Sequence, residues 1–128
     1  MRRMIATSKA PQALGSYSQG LVVNHVLYLS AQLPLVPSTM ALCSPDIAQQ
    51  APQVFANLAA VCHAADASLE ELIELTIYLI DVSDITWVNQ VIADVCPPPF
   101  PARSTIGVAS LPKGAKIAVS GMVLLNNA

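Results

Sequence analysis

Some stretches of this chain are apolar at consecutive positions in segments that are otherwise rich in β-branched and aromatic residues. Leu27-Tyr28-Leu29 and Ile117-Ala118-Val119 are the clearest. A strand sends alternate side chains to opposite faces, so apolar residues at both parities ask for cover on both sides of a sheet. Two helical patterns accompany these strands, enough to cover one face. The other face then needs cover from outside the chain, and further copies of the same chain are the natural source.

The charge content points the same way. Charged residues are 11% and hydrophobic ones 54% of the 128 residues, against about 25% charged in a typical soluble domain. The surplus apolar surface belongs at subunit interfaces. A membrane is the rival destination, but no apolar run approaches the ~18 residues of a spanning helix. The segment Met1 to Lys9 has the basic residues of a signal peptide without the apolar core behind them. The expectation is one domain over 1–128, cytoplasmic and without a membrane partner.

Basic residues are sparse: Arg2, Arg3, Lys9, Arg103, Lys113 and Lys116. With a net charge of −2 they cannot build a phosphate-tracking groove, which argues against nucleic acid as a ligand. Cys43, Cys62 and Cys96 lack metal or redox spacing and read as reduced thiols, mostly buried. His25 and His63 form no zinc motif, so neither a metal nor a cofactor is expected.

Arg103 stands apart. All eight acidic residues lie between Asp46 and Asp94, and none follows Arg103. A permanently charged guanidinium in such surroundings is costly to leave unpaired. It either caps backbone carbonyls, pairs with an acid of the central segment, or receives a carboxylate from a ligand through two parallel hydrogen bonds.

Leu21-Val22-Val23 and Val26 to Leu29 flank Asn24-His25 as a hairpin would. Ser44-Pro45-Asp46 marks a helix start, with Ser44 as N-cap. Ile47, Ala51, Val54, Leu58, Val61 and Ala65 then form one buried helical stripe, in which Pro52 must bend the helix or end a short first turn. A strand follows over Leu72–Ile80. Asp84 could cap a second helix with apolar face Ile85, Val88, Val91 or Ile92, and Val95, stopped by Pro97-Pro98-Pro99. Two strands near Ser104–Ala109 and Lys116–Leu125 complete the order ββ-α-β-α-ββ, an α+β sandwich with two helices on one face of a mixed sheet.

Five motifs in this order carry a resemblance: Gly15-Ser16-Tyr17-Ser18-Gln19-Gly20, Ser30-Ala31-Gln32-Leu33-Pro34, Val88-Asn89, Pro101-Ala102-Arg103-Ser104 and Leu111-Pro112-Lys113-Gly114-Ala115. From about Ile5 to Leu125 the chain resembles the RidA (YjgF/YER057c/UK114) family. The resemblance implies a chorismate-mutase-like two-layer fold, assembled as a homotrimer around a central β-barrel with ligand clefts between subunits. It implies hydrolysis of 2-iminopropanoate and 2-iminobutanoate to keto acids and ammonia. Arg103 aligns with the arginine that holds the substrate carboxylate. Tyr17, Ser30 and Asn89 align with cleft positions, and Ala31 falls where glycine is usual. Thr105 takes a position often held by cysteine, whose backbone carbonyl faces the bound water.

One departure matters most. Relatives with deaminase activity usually carry Val-Glu-Ile-Glu where this chain has Ile117-Ala118-Val119-Ser120. Ala118 replaces the water-orienting glutamate and Ser120 the second acid, with no downstream carboxylate to compensate. General acid–base help is worth about 10²–10⁴-fold, so the expectation is either a weakened deaminase, with Ser120 helping to hold the water, or a carboxylate-binding trimer without efficient catalysis. The family's ribonuclease label finds no support in a histidine pair, metal cluster or basic groove. Outside the motifs' roles, Tyr17 could simply pack a strand edge, Asn89 satisfy backbone groups, Lys113 occupy a solvated turn, and Trp87 fill a core or interface.

Overall fold

The structure, a computed structural model, describes residues 1–125; the last three residues of the expected domain, 126–128, lie outside the described residues. The strands are β1 (Arg2–Ile5), β2 (Gly20–Val23), β3 (Val26–Gln32), β4 (Leu72–Leu79), β5 (Ala102–Gly107) and β6 (Ile117–Leu124), with helices α1 (Ile47–Ala64) and α2 (Ile85–Val95). They form one mixed sheet in the order β1-β2-β3-β6-β4-β5, antiparallel except for the β4–β5 pair. The expected α+β architecture with two helices is present, with one strand more than the sequence pattern announced. β1 pairs along β2 from Arg2↔Val23 to Ile5↔Gly20. It escapes a hydrophobic reading because three of its four residues are exposed and two are arginines.

Local chemistry sets the other elements. Val23 pairs with Val26, so Asn24-His25 is the two-residue turn, and Asn24 supplies its positive φ of 55°. The N-cap of α1 is Asp46 rather than Ser44: the Asp46 carboxylate accepts from the Ala48 N–H, while the Ser44 hydroxyl accepts from Asp46 N–H one step earlier. α1 runs unbroken through Pro52, and the stripe from Ile47 to Val61 is buried on the sheet together with Phe55. Asp84 sits at the N-cap of α2 without a side-chain cap bond; Asp81 instead accepts from Ser83 and shapes the preceding 3-10 turn. Trp87 is 41% exposed, so it fills no core in this chain. Cys62 and Cys96 are buried, whereas Cys43 is only half-buried.

Strand register separates two faces. The row Ile5, Gly20, Leu29, Gly121, Leu75 lies under the helices and ends at Arg103 on β5. The neighbouring row Met4, Leu21, Tyr28, Met122, Glu74, Ala102 lies on the open face. Met4, Tyr28, Ile106 and Leu124 are exposed there, so among the described residues nothing covers the second apolar parity.

A candidate carboxylate-binding site in two halves

The first half is at the sheet edge. Arg103 pairs with Leu75 and Thr105 with Ile77, both fully buried, which sets these β5 residues on the helix side of the sheet. On that side Arg103 Nη1 donates to Asn89 Oδ1 at 2.5 Å. Among the described residues no acid pairs with it; its charge is oriented by a neutral amide and left for another partner. A cleft of about 350 Å³ opens beside it, lined by Asn89, Ile92, Ala93, Phe100, Pro101 and Arg103.

The second half sits across the sheet. Leu29 pairs with Gly121 and Gln32 with Val119, so Ser30 and Ala31 together oppose Ser120 in a β-bulge. The Ser30 hydroxyl donates to the Ser18 carbonyl at 2.5 Å and ties the bulge to the Tyr17 loop. Ala31 keeps an ordinary negative-φ backbone, so the β-carbon in place of the family's glycine brings no left-handed strain. Tyr17, 52% exposed, and Ala31 line a second cleft of about 320 Å³ with Leu33, Leu35, Met40 and Lys113. Lys113 lies in an exposed turn at φ 63°, its ammonium donating to the Met40 carbonyl at 3.4 Å.

The sequence-derived residues therefore do not converge within one chain. β3 and β5 are three strand spacings apart, about 14 Å. Ser120 pairs with Thr76 on the open face, opposite to the face of Arg103 and Thr105. No small ligand gripped by Arg103 at Asn89 can also meet Tyr17, Ser30, Ala31 and Ser120 of the same chain.

Two residues that support these halves were missed from the sequence. Gln19 is buried; its Oε1 accepts from Thr7 N–H at 2.7 Å and its Nε2 donates to the carbonyls of Thr7, Ala10 and Pro11. It pins the leading loop beneath Tyr17. Its place in the Gly15–Gly20 motif was the available signal. Glu74 is the only acid in the six strands, and it lies on the open face, accepting from the Thr76 hydroxyl at 3.1 Å. Nothing in the order of residues alone set it one strand from Ser120.

Burial pushes the Cys62 thiol up to about 12 and raises that of Cys96, so both stay protonated and unreactive at neutral pH. No group of three His, Cys, Asp or Glu among the described residues could hold a metal ion, and no helix there is long and apolar enough to cross a membrane.

A mixed sheet with two helices, and a charged arginine held by an asparagine beside a cleft at its edge, defines a small α+β protein of one particular class. A family model described as Endoribonuclease L-PSP matches residues 7–124, and the chain belongs to that family, the RidA/YjgF family. It is 36% identical over 124 residues to a 2-iminobutanoate/2-iminopropanoate deaminase of Dermatophagoides farinae, covering 97% of each chain. It is 35% identical to the human protein of the same name, over 97% of this chain and 90% of that one. Among solved structures, RidA from a Psychrobacter species superposes with a TM-score of 0.91 at 38% identity, covering 96% of this chain and 99% of that one. Escherichia coli TdcF with bound serine superposes at 0.87 and 29% identity, covering 95% and 98%.

Proposed function

We propose that this chain forms a homotrimer that hydrolyses small 2-imino acids to 2-keto acids and ammonia in clefts between subunits. The observation that carries this reading is the Arg103 guanidinium, held by Asn89 and paired with no acid among the described residues, beside a cleft. The imino-acid deaminase names of relatives at 35% and 36% identity support it, as does the serine bound to TdcF.

Two half-sites that cannot meet within a chain suit an assembly in which the β5 edge of one copy faces the β3–β6 bulge of the next. The exposed apolar open face supplies surface for such contacts. In this arrangement Arg103 clamps the substrate carboxylate through paired charge-assisted hydrogen bonds, with Asn89 fixing the guanidinium. The Thr105 carbonyl and the neighbouring copy's serine hydroxyl at position 120 hold a water against the C=N carbon. Water adds to that carbon, its proton passes to the nitrogen, and collapse of the carbinolamine expels ammonia and leaves the ketone. Tyr17, Ser30 and Ala31 line the opposing wall. Positioning an already electrophilic imine supplies much of the acceleration, because the reactants meet in one orientation.

Ala118 favours a second reading, a trimer that binds small carboxylates without efficient turnover. A coupled assay with freshly generated 2-iminopropanoate separates the two. Hydrolysis above the uncatalysed rate that disappears in Arg103→Ala supports the deaminase; keto-acid binding with no rate enhancement supports the binding protein.

A further inference from the structure

The cleft beside Arg103 is larger and more apolar than a three-carbon imino acid requires. Asn89, Ile92 and Ala93 project from one face of α2, at spacings of three and four residues, toward Phe100 and Pro101 just before β5. Arg103 and Asn89 are the polar members, and they already bond each other. The rest of the lining is apolar, with Ile92 buried and Phe100 58% exposed. The volume of about 350 Å³ equals the liquid share of about twelve water molecules at ~30 Å³ each. A three-carbon keto acid, with six heavy atoms, would occupy only about a third of that space and leave the Phe100 ring in contact with water.

Resting on the reading of Arg103 as the carboxylate clamp, we propose that this cleft is a side-chain pocket and that the preferred substrates are 2-imino acids with branched aliphatic or aromatic side chains. With the carboxylate on Arg103, a branched or aromatic group lies against Ile92, Ala93, Phe100 and Pro101. Each methylene so buried strengthens binding by about fourfold, and a ring gains a further contact with the Phe100 face. Beyond the Arg103–Asn89 pair this lining offers neither an acid nor a second base, so a charged or strongly polar group lying against it would find no partner there.

The test is calorimetric titration of the intact protein with unreactive keto acids: pyruvate, 4-methyl-2-oxopentanoate and phenylpyruvate. Wild type is expected to bind the two larger acids at least tenfold tighter than pyruvate. Ala93→Leu fills the pocket from α2 and should cut that ratio at least fivefold; Phe100→Ala removes the opposite wall and should cut it as well. Both positions are exposed, so the variants should fold, and retained pyruvate binding reports an intact clamp. Equal affinity for all three acids, or a ratio untouched by Ala93→Leu, overturns the pocket while leaving the carboxylate clamp in place. Binding of none of them overturns the clamp and the pocket together. Tight binding of the larger acids without hydrolysis of their imines sustains the pocket and removes only the deaminase reading.

Discussion

Arg103 meets Asn89 through an amide oxygen, not a carboxylate: Nη1 donates to Oδ1 at 2.5 Å, and no acid among the described residues pairs with the guanidinium. A neutral acceptor fixes the plane of the cation without cancelling its charge. A site built to receive an anion needs that combination, because an internal carboxylate would compete with the ligand for the same fork.

Keto-acid binding should therefore fail in Arg103→Ala by about 1.5–3 kcal/mol, the worth of a charge-assisted hydrogen bond. Asn89→Asp should weaken it too, although the change adds only a charge, because the guanidinium then has a partner of its own. Asn89→Ala should weaken it less than Asn89→Asp. Calorimetry with pyruvate ranks the three; equal affinity in Asn89→Asp and wild type would show that Asn89 does not act on the clamp.

The open face of the sheet makes a prediction about assembly. Met4, Tyr28, Ile106 and Leu124 are exposed on it, a surface that a lone chain would leave wet. Light scattering should give about 40 kDa, three times the 13.5 kDa of one chain. Tyr28→Lys sets a charge in the middle of that face and should shift the protein to monomer at micromolar concentration. Because the variant splits the two half-sites, it should also lose keto-acid binding with Arg103 untouched.

Much of this fold was legible in the residues. The stripe Ile47, Ala51, Val54, Leu58 and Val61 announced α1 because helical periodicity and burial coincide there. The parity of Leu27-Tyr28-Leu29 announced a face without cover, and Tyr28 is indeed exposed. β1 was not legible, since an edge strand held by backbone pairing needs no apolar pattern. The bulge at Ser30-Ala31 was hidden for a different reason: it exists only relative to β6, and register against a distant strand is not written locally. The same gap concealed the separation of Arg103 from Ser120. Both are site residues in the sequence, but only the pairing register, Arg103 with Leu75 and Ser120 with Thr76, shows that they lie on opposite faces.

Cys62 gives a pH signature. Its thiol is pushed up to about 12 by burial, above its ordinary value near 9.0. Between these values the unfolded chain has lost the proton and the folded one has kept it. Stability is thus unaffected below about pH 8, then falls as pH rises, by at most about 1.4 kcal/mol per unit for one group. Thermal melts from pH 8 to 10.5 should show this decline, and Cys62→Ala, though less stable at pH 7 from the cavity left, should show a shallower one. Parallel slopes in both proteins would assign the effect to other groups.

The last prediction concerns Ala118. It is 3% exposed, and its pairing with Tyr78 sets its β-carbon on the open face while Ile117 and Val119 fill the core beneath the helices. A glutamate at this position would leave the sheet toward the face where the proposed inter-subunit cleft forms, not into the packed layer. Its carboxylate would accept a proton from the attacking water and strengthen as charge develops, a contribution larger in the transition state than in the ground state. Ala118→Glu should raise turnover of saturating 2-iminopropanoate by at least tenfold, with pyruvate affinity unchanged or slightly weakened. The double variant with Arg103→Ala should remain inactive. A melting temperature close to that of wild type must accompany the comparison, since a carboxylate closed into an apolar interface without a partner can cost several kcal/mol. A folded trimeric Ala118→Glu protein with unaltered turnover would mean that the missing carboxylate is not what limits the reaction, and that the water is held by Ser120 and backbone carbonyls alone.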